Sequence, residues 1–210
     1  MIELSKKGAE TTIDLSKGGT SISGPIIANL NWTQHSGGFF KGLLGGGVDL
    51  DLGCFFELTD GSKSVIDALQ FSGGQGGGRT IVSRQGCFTR KPWIWHTGDD
   101  LTGASSEGEF IHVNPEGISD IKRIDFYAYI YEGVAKWADS DAVIKLTVPG
   151  HEEIVIRMAE INSKQKFAVL CNLEFTASGI KVVNANSFHD GHGEADRYHG
   201  WGMKWRAGSK

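Results

Sequence analysis

The most informative part of the chain reads IKRIDFYAYIY and spans residues 121–131. Aliphatic or small residues alternate there with tyrosines, and successive side chains of an extended backbone point to opposite sides. One side is therefore aliphatic, and the other carries a row formed by Tyr127, Tyr129 and Tyr131. The alternation predicts a strand with two different faces. The tyrosine row is the candidate interface, because the opposite face already supplies core residues.

Shorter segments with the same period of two lie on both sides of this stretch, separated by Gly, Asn and Asp turns. They cover residues 11–15, 26–32, 48–56, 142–148, 153–158, 167–175 and 179–183. In residues 167–175 the period places the side chains from Phe167 to Phe175 at odd positions on one side. Regular short strands predict an all-β fold, a two-sheet antiparallel β-sandwich. Short helical turns are predicted at residues 133–140 and 193–199.

Composition narrows the class of protein. The 210 residues fit one domain, and 30 glycines favour many tight turns over long helices. Cys54, Cys87 and Cys171 are widely spaced, which indicates small buried residues of a reducing compartment. The first residues lack the apolar core of a signal peptide, and no apolar run approaches the ~20 residues of a membrane helix. We therefore expect a cytoplasmic protein with no transmembrane segment.

Charge argues against a nucleic-acid partner. The chain has 21 Lys and Arg against 25 Asp and Glu, a net charge of −4. Its basic residues are scattered and form no stripe that could follow a phosphate backbone.

Acidic residues gather at two places. Asp49 and Asp51 lie two residues apart on the predicted strand 48–56, so their side chains share one face, roughly 6.6–7 Å apart. Val48, Leu50 and Leu52 occupy the opposite, core face. The second place is the loop HTGDDLTGASSEGE at residues 96–109, which contributes Asp99, Asp100, Glu107 and Glu109. A glycine-rich acidic loop suits a hard cation that takes six to eight oxygen ligands at about 2.3–2.6 Å.

Spacing alone leaves another interpretation open. The loop has neither the opening nor the final glutamate of an EF-hand, and an acidic surface turn without a metal would have the same composition.

The order of the motifs supplies a resemblance. VDLDLG at residues 48–53, HTGDDLTG at 96–103 and GEFIHV at 108–113 resemble, in this order, the DLD strand and the acidic loop of TerD-type tellurium-resistance and stress proteins of bacteria. The similarity spans roughly residues 25–175. The tail FHDGHGEADRYHGWGMKW at 188–205 resembles the ending of the TerA-type branch. On this basis residues 1–210 are one TerD-like domain, with a TerA-type C-terminal extension from about residue 184.

The resemblance implies a β-sandwich that binds Ca²⁺ between the DLD strand and the acidic loop. It implies a non-enzymatic interaction module of a tellurite-resistance and stress-response system, with other proteins of that system as partners; self-association is left open. Asp49, Asp51, Asp99 and Glu109 match family positions directly. Asp100 replaces the usual Asn, and Glu107 stands where the family has Asp. Because the loop is also shorter and poorer in Asp, one Ca²⁺ site is expected rather than two.

Two other functions stay open. His189, His192 and His199 form a dense histidine cluster that could hold zinc or another transition metal, which would make the chain a metal-dependent hydrolase. A turn whose polar residues hydrogen-bond the C-terminal segment is the simpler interpretation of the same residues. No nucleophile motif is present, and no catalytic residue is assigned. The remaining alternative is a structural scaffold subunit with a vestigial metal site.

Overall fold

The structure is a computed structural model that describes residues 1–15, 22–32, 50–70, 77–98, 108–131, 137, 140, 142–158 and 163–206. These residues form two six-stranded sheets and one short α-helix. The strands are β1 (Ile2–Glu3), β2 (Glu10–Asp14), β3 (Ile26–Asn31), β4 (Leu50–Leu58), β5 (Lys63–Asp67), β6 (Ile94–His96), β7 (Glu109–Val113), β8 (Ile121–Ile130), β9 (Val143–Thr147), β10 (Ile154–Arg157), β11 (Phe167–Thr176) and β12 (Gly179–His189), and the helix is α1 (His192–His199).

The strand order places β6 and β7 at one end of the first sheet and β4 and β5 at one end of the second. The first sheet has the order β1-β10-β9-β3-β7-β6, and the second has the order β2-β12-β11-β8-β4-β5. All pairs are antiparallel except β1 with β10. β6 and β5 are edge strands of the two sheets. The predicted antiparallel β-sandwich is thus confirmed.

The main core lies between the sheets and is built by the predicted alternation. From β8 it takes Ile124, Phe126, Ala128 and Ile130, the aliphatic face of the motif at residues 121–131. β4 contributes Leu50, Leu52, Cys54 and Phe56. Full burial of such side chains contributes roughly 1.5–3 kcal/mol each, which is why the apolar face decides the register of the strand.

One predicted face is wrong in part. In β11 the register shifts between Val169 and Cys171 against both neighbouring strands. A β-bulge adds a residue to one strand and reverses the facing of the residues beyond it. Phe167 and Val169 therefore pack on the outer face of the second sheet, whereas Cys171 and Leu173 pack between the sheets.

The outer face of the second sheet holds a second core. Phe55, Tyr127, Tyr129, Phe167 and Trp201 are buried there together with Ala195 of α1. The chain segment after β12 covers this face, because α1 and the residues after it pack on it. The second face of β4 was expected to carry its side chains outward, but every residue of β4 is buried.

The tyrosine row needs the same correction. Tyr127 and Tyr129 are buried under the C-terminal segment, so the chain itself occupies the predicted interface. Tyr131 is 37% exposed and lies beyond the covered area.

The C-terminal extension is continuous with the sheet. The strand predicted for residues 179–183 continues as β12 to His189, past the expected start of the extension near residue 184. The helical turn predicted at residues 193–199 is present as α1, while most of residues 133–140 lie outside the described part of the chain. No helix in the described residues is long and apolar enough to cross a membrane.

The close approach of β4 to the outer core gives a stability prediction. A Cβ atom at Gly53 would lie 2.3 Å from the Tyr127 ring and 2.7 Å from Asp67 Cβ. Because both neighbours are fully buried, the Gly53→Ala variant should lose about 1–3 kcal/mol of unfolding free energy in urea denaturation. Gly78→Ala is the matched control, since a Cβ at this exposed position meets only Ile81 Cδ1, at an ordinary contact distance of 3.8 Å. Equal stability of the two variants would contradict this packing.

Candidate functional site

The acidic loop begins and ends on the hairpin formed by β6 and β7. His96 pairs with Ile111, and Thr97 N–H donates to the Phe110 carbonyl at 3.0 Å. Gly108 closes the other end with φ +76°, and a Cβ there would lie 2.0 Å from the Leu30 carbonyl oxygen of β3. Only glycine fits both conditions. The base of the loop is therefore fixed in the first sheet.

The same hairpin base is tied to β4 in the second sheet. Glu109 Oε2 accepts the Leu52 N–H at 2.7 Å, and His96 Nε2 lies 3.1 Å from the Leu52 carbonyl oxygen. Leu52 directly precedes Gly53, which is the first residue of β4 to pair with β5. Glu109 and His96 thus supply hydrogen-bond partners for the Leu52 N–H and carbonyl, which have no partner in β5 because that strand ends at Asp67.

The hydrogen bonds of His96 define its tautomer. Gly98 N–H donates to Nδ1 at 3.1 Å, so the ring proton is on Nε2 and is donated to the Leu52 carbonyl. Nε2 also lies 3.7 Å from Glu109 Oε2, and both side chains are buried. The imidazole thus joins the end of β6 to the Leu52 backbone of β4. His96 and its role were not predicted, although it opens the acidic motif.

The candidate Ca²⁺ ligands are only partly within the described residues. Asp49, Asp99, Asp100 and Glu107 lie outside them. Of the two that are described, Asp51 is fully buried and Glu109 is 1% exposed.

Asp51 is a residue of β4, and its side chain and that of Glu109 lie on opposite faces of this strand. Alternation places Asp51 on the face of Gly53 and Phe55, opposite Tyr129 in the register of β8. Glu109 shares its face of β7 with Ile111 and Val113, which are part of the core between the sheets. The structure thus brings both to the start of β4, with the Leu52 backbone between them. Glu109 acts there as a hydrogen-bond anchor of the hairpin.

The three histidines of the C-terminal segment occupy two separate places. Ser187 Oγ lies 2.9 Å from His189 Nε2 and 2.8 Å from His199 Nε2. His192 Nε2 instead lies 2.7 Å from Asp67 Oδ2 of β5. All three Nε2 atoms are therefore engaged in hydrogen bonds. Among the described residues, no group of three or more His, Cys, Asp or Glu side chains could hold a metal ion. This geometry gives the zinc alternative no support.

Buried polar groups join the C-terminal segment to the second sheet. Asp67 accepts hydrogen bonds from the Tyr127 hydroxyl and, at 3.0 Å, from Leu69 N–H. Burial, and next the charge of Asp67, raises the pKa of Tyr127 well above its usual value, so the phenol remains a donor. Asp125 accepts the Trp201 indole N–H at 2.9 Å. These carboxylates hold the covering segment in place.

Asp196 fastens the end of that segment. Its carboxylate accepts hydrogen bonds from Gly202 N–H, Met203 N–H and the Trp205 indole N–H, each at 2.8–2.9 Å. No local pattern in the sequence revealed these roles of Asp67 and Asp125, because Tyr127 and His192 lie 60 and 125 residues from Asp67, and Trp201 lies 76 residues from Asp125.

Comparison with known proteins agrees with the motifs. No family model matches the chain. The chain is 37% identical over 193 residues to the tellurium resistance protein TerA of Alcaligenes sp.. The matched residues are 89% of this chain and 53% of that protein, so the chain spans about half the length of the curated relative. This similarity and the ordered motifs support a TerD-superfamily tellurium-resistance protein.

A solved structure supports the same fold. The crystal structure of a homologue of the telluride resistance protein TerD from Streptomyces coelicolor A3(2) superposes with a TM-score of 0.51. It covers 80% of this chain and 91% of the Streptomyces chain at 16% sequence identity. At this identity the similarity concerns the fold alone.

The hydrogen bond between Glu109 and the Leu52 backbone can be tested by measurements of stability. Glu109→Ala should lower the unfolding free energy in urea by about 1–3 kcal/mol, because the buried Leu52 N–H loses its acceptor. Glu109→Gln keeps an acceptor oxygen and should lose less. The measurements use chelator-treated protein, so that no bound metal contributes. Glu174→Ala, at an exposed position of β11, is the control. An Ala variant as stable as the Gln variant would exclude the anchor.

Asp125 and His199 should give stability opposite dependences on pH. Burial raises the pKa of Asp125 to about 6, and burial, with the nearby His189, lowers the pKa of His199 to about 4. Asp125 therefore contributes stability that is present below its unfolded pKa of about 3.9 and is lost as pH rises through about 6. His199 contributes stability that is present above its unfolded pKa of about 6.5 and is lost as pH falls through about 4.

Substituting one of the two groups should reveal the pH dependence that the other gives to stability. As pH rises from 4 to 6.5, the unfolding free energy of Asp125→Asn should rise relative to wild type by about 3 kcal/mol. That of His199→Gln should fall relative to wild type by a smaller amount, because the imidazole is partly exposed and solvent screens its interactions. Urea denaturation at several pH values measures both, with Asp190→Asn, an exposed position, as the control. The same pH slope in both variants would refute the assignment.

Proposed function

We propose that this TerD-superfamily chain is a Ca²⁺-binding, non-enzymatic interaction module of a bacterial tellurite-resistance and stress-response system. One observation carries the proposal: both ends of the acidic hairpin, at His96 and Glu109, are fastened to β4 at Leu52, the residue next to Asp51. These hydrogen bonds fix the two described ends of the loop. Carboxylate oxygens in such a loop are the ligands that Ca²⁺ prefers.

The proposed ligands come from the strand and from the loop. Asp49 and Asp51 would provide the strand oxygens, and Asp99, Asp100 and Glu107 would provide the loop oxygens. Glu109 already accepts the Leu52 N–H, so we assign it the task of fixing the hairpin base beside the ion. Ca²⁺ would offset the repulsion among these carboxylates and order the loop.

The donor chemistry at this corner supports a hard cation. Asp51 is fully buried at the start of β4, and a nearby cation would lower the cost of burying its charge. Its oxygens are of the hard type that suits Ca²⁺ and not the nitrogen or sulfur type of zinc sites. The donor set thus fits the ion that the family resemblance implies.

The ordered loop is the proposed contact for partners. The partners we propose are other proteins of the tellurium-resistance system, in keeping with the curated relative's name. We place the module in the cytoplasm, because its three cysteines are all free and buried, as expected in a reducing compartment. No step of chemistry is assigned to the chain, since its role would be binding.

Calorimetric titration of chelator-treated protein with Ca²⁺ tests the site. Wild type should bind one Ca²⁺, and both Asp51→Asn and Asp51→Ala should weaken binding by about tenfold or more, because a charged oxygen ligand is lost. The isosteric Asn variant separates loss of charge from loss of packing at this buried position.

Controls define the result. Asp190→Asn removes an exposed carboxylate elsewhere and should bind like wild type. Mg²⁺ and Zn²⁺ should bind more weakly than Ca²⁺. Equal Ca²⁺ affinity in wild type and in a folded Asp51→Asn variant would sink the proposal.

A further inference from the structure

A basic cleft lies along the edge strand β5 of the second sheet. Its volume is about 730 Å³, which falls within the roughly 300–1,000 Å³ of sites for small ligands. It is bounded by edge strand β5, by the residues after α1 and by Arg84. None of the residues proposed for Ca²⁺ lines this cleft.

The cleft collects positive charge. Lys63, Arg84, Lys204 and Arg206 line it, and none of its described lining residues is acidic. The chain as a whole carries a net charge of −4, so the positive charge of the cleft is opposite in sign to that of the whole chain. A concave surface lined with charges of one sign concentrates ligands of the opposite sign.

Most of these cations have no counter-charge within the described part of the chain. Lys63 Nζ donates to the Trp201 carbonyl at 3.1 Å and lies 4.0 Å from Glu57 Oε2. Arg84, Lys204 and Arg206 make no ion pair with any carboxylate of the described residues. Three cations gathered in this way favour a ligand with several negative charges, such as a chain of phosphates.

The other wall of the cleft is apolar and includes a firmly held indole. Trp205 donates its N–H to Asp196 Oδ2 at 2.9 Å. Its ring lies 5.1 Å from that of His192 and 5.8 Å from that of Phe55, measured between centroids. Trp205 is only half-buried, and it lines the cleft with Val65, Leu69 and Met203. An indole fixed in this way offers a stacking surface for a flat ring.

We propose that this cleft binds a small phosphorylated ligand that carries a planar ring, in the manner of a nucleoside triphosphate. The phosphates lie against Arg84, Lys204 and Arg206, and the ring stacks on Trp205. Recognition comes from side-chain cations and an aromatic face, and it needs no glycine-rich phosphate loop. The site goes beyond the proposed Ca²⁺ module and is independent of it.

Calorimetry in metal-free buffer tests the cleft with three probes, ATP, inorganic tripolyphosphate and adenosine. ATP should bind best, about tenfold more tightly than tripolyphosphate, because stacking on the indole adds to the charge interaction. Adenosine should bind more weakly than either. Metal-free conditions keep the acidic corner silent, so failure here is distinguishable from failure of the Ca²⁺ proposal.

Charge reversal identifies the binding residues. Arg84→Glu and Lys204→Glu should each weaken ATP binding by about tenfold or more, and Lys204→Gln by less. Lys164→Glu, at an exposed position outside the cleft, is the matched control and should bind like wild type. Thermal unfolding checks that each variant is folded.

Three outcomes would overturn the proposal. They are no ATP binding by wild type at millimolar concentration, tripolyphosphate binding as tight as that of ATP, and equal weakening in the Lys164→Glu control. A loss confined to the cleft variants, with ATP preferred over the other two probes, would establish it.

Discussion

The second sheet has to bury both of its faces, and much of the structure results from this constraint. One face packs on the first sheet, and the other carries aromatic side chains such as Phe55, Tyr127 and Phe167 that are too apolar to remain in water. α1 and the residues after it supply the cover, with Trp201 fully buried at its centre. The C-terminal segment is therefore part of the core in its own right.

Covering this face also buries polar groups, and their hydrogen bonds determine how the segment sits. Asp67, Asp125 and Asp196 are all buried, and each accepts hydrogen bonds from groups on another element or farther along the chain. Leaving any of them without partners would cost a few kcal/mol, so these hydrogen bonds favour the observed arrangement of the segment. The histidines of the tail take part in this arrangement. His192 has a buried carboxylate as its partner, and His189 and His199 share a serine hydroxyl.

The two proposed binding sites lie near the edge of the second sheet, one at the start of β4 and the other at β5. At one end of β4, Glu109 and His96 reach across from the first sheet to the Leu52 backbone, which fixes the acidic hairpin beside Asp51. At the edge formed by β5, the covering segment leaves a cleft walled by Trp205 and basic side chains. At the first place side chains of another sheet bind the free backbone groups of β4, and at the second the C-terminal segment forms one wall of the cleft beside β5. A cation is proposed at the acidic hairpin and an anion in the basic cleft, in line with the charge of the residues at each place.

Four short strands, β1, β5, β6 and β7, were not predicted. The sequence by itself determined the other eight described strands, the faces of β4 and β8 that meet the first sheet, and the family resemblance. These features are written in local alternation and in motifs of a few residues, such as VDLDLG and HTGDDLTG, which need no knowledge of distant neighbours. The fate of the opposite faces could not be predicted, because a tyrosine row on a strand looks the same whether solvent, a partner or the chain's own tail covers it. The bulge in β11 was also missed, since one extra residue reverses the facing without changing composition. Only the tertiary structure paired His192 with Asp67 across 125 residues, brought Glu109 to Leu52 and gathered the basic cleft, because these contacts depend on how sheets and segments pack and not on spacing along the chain.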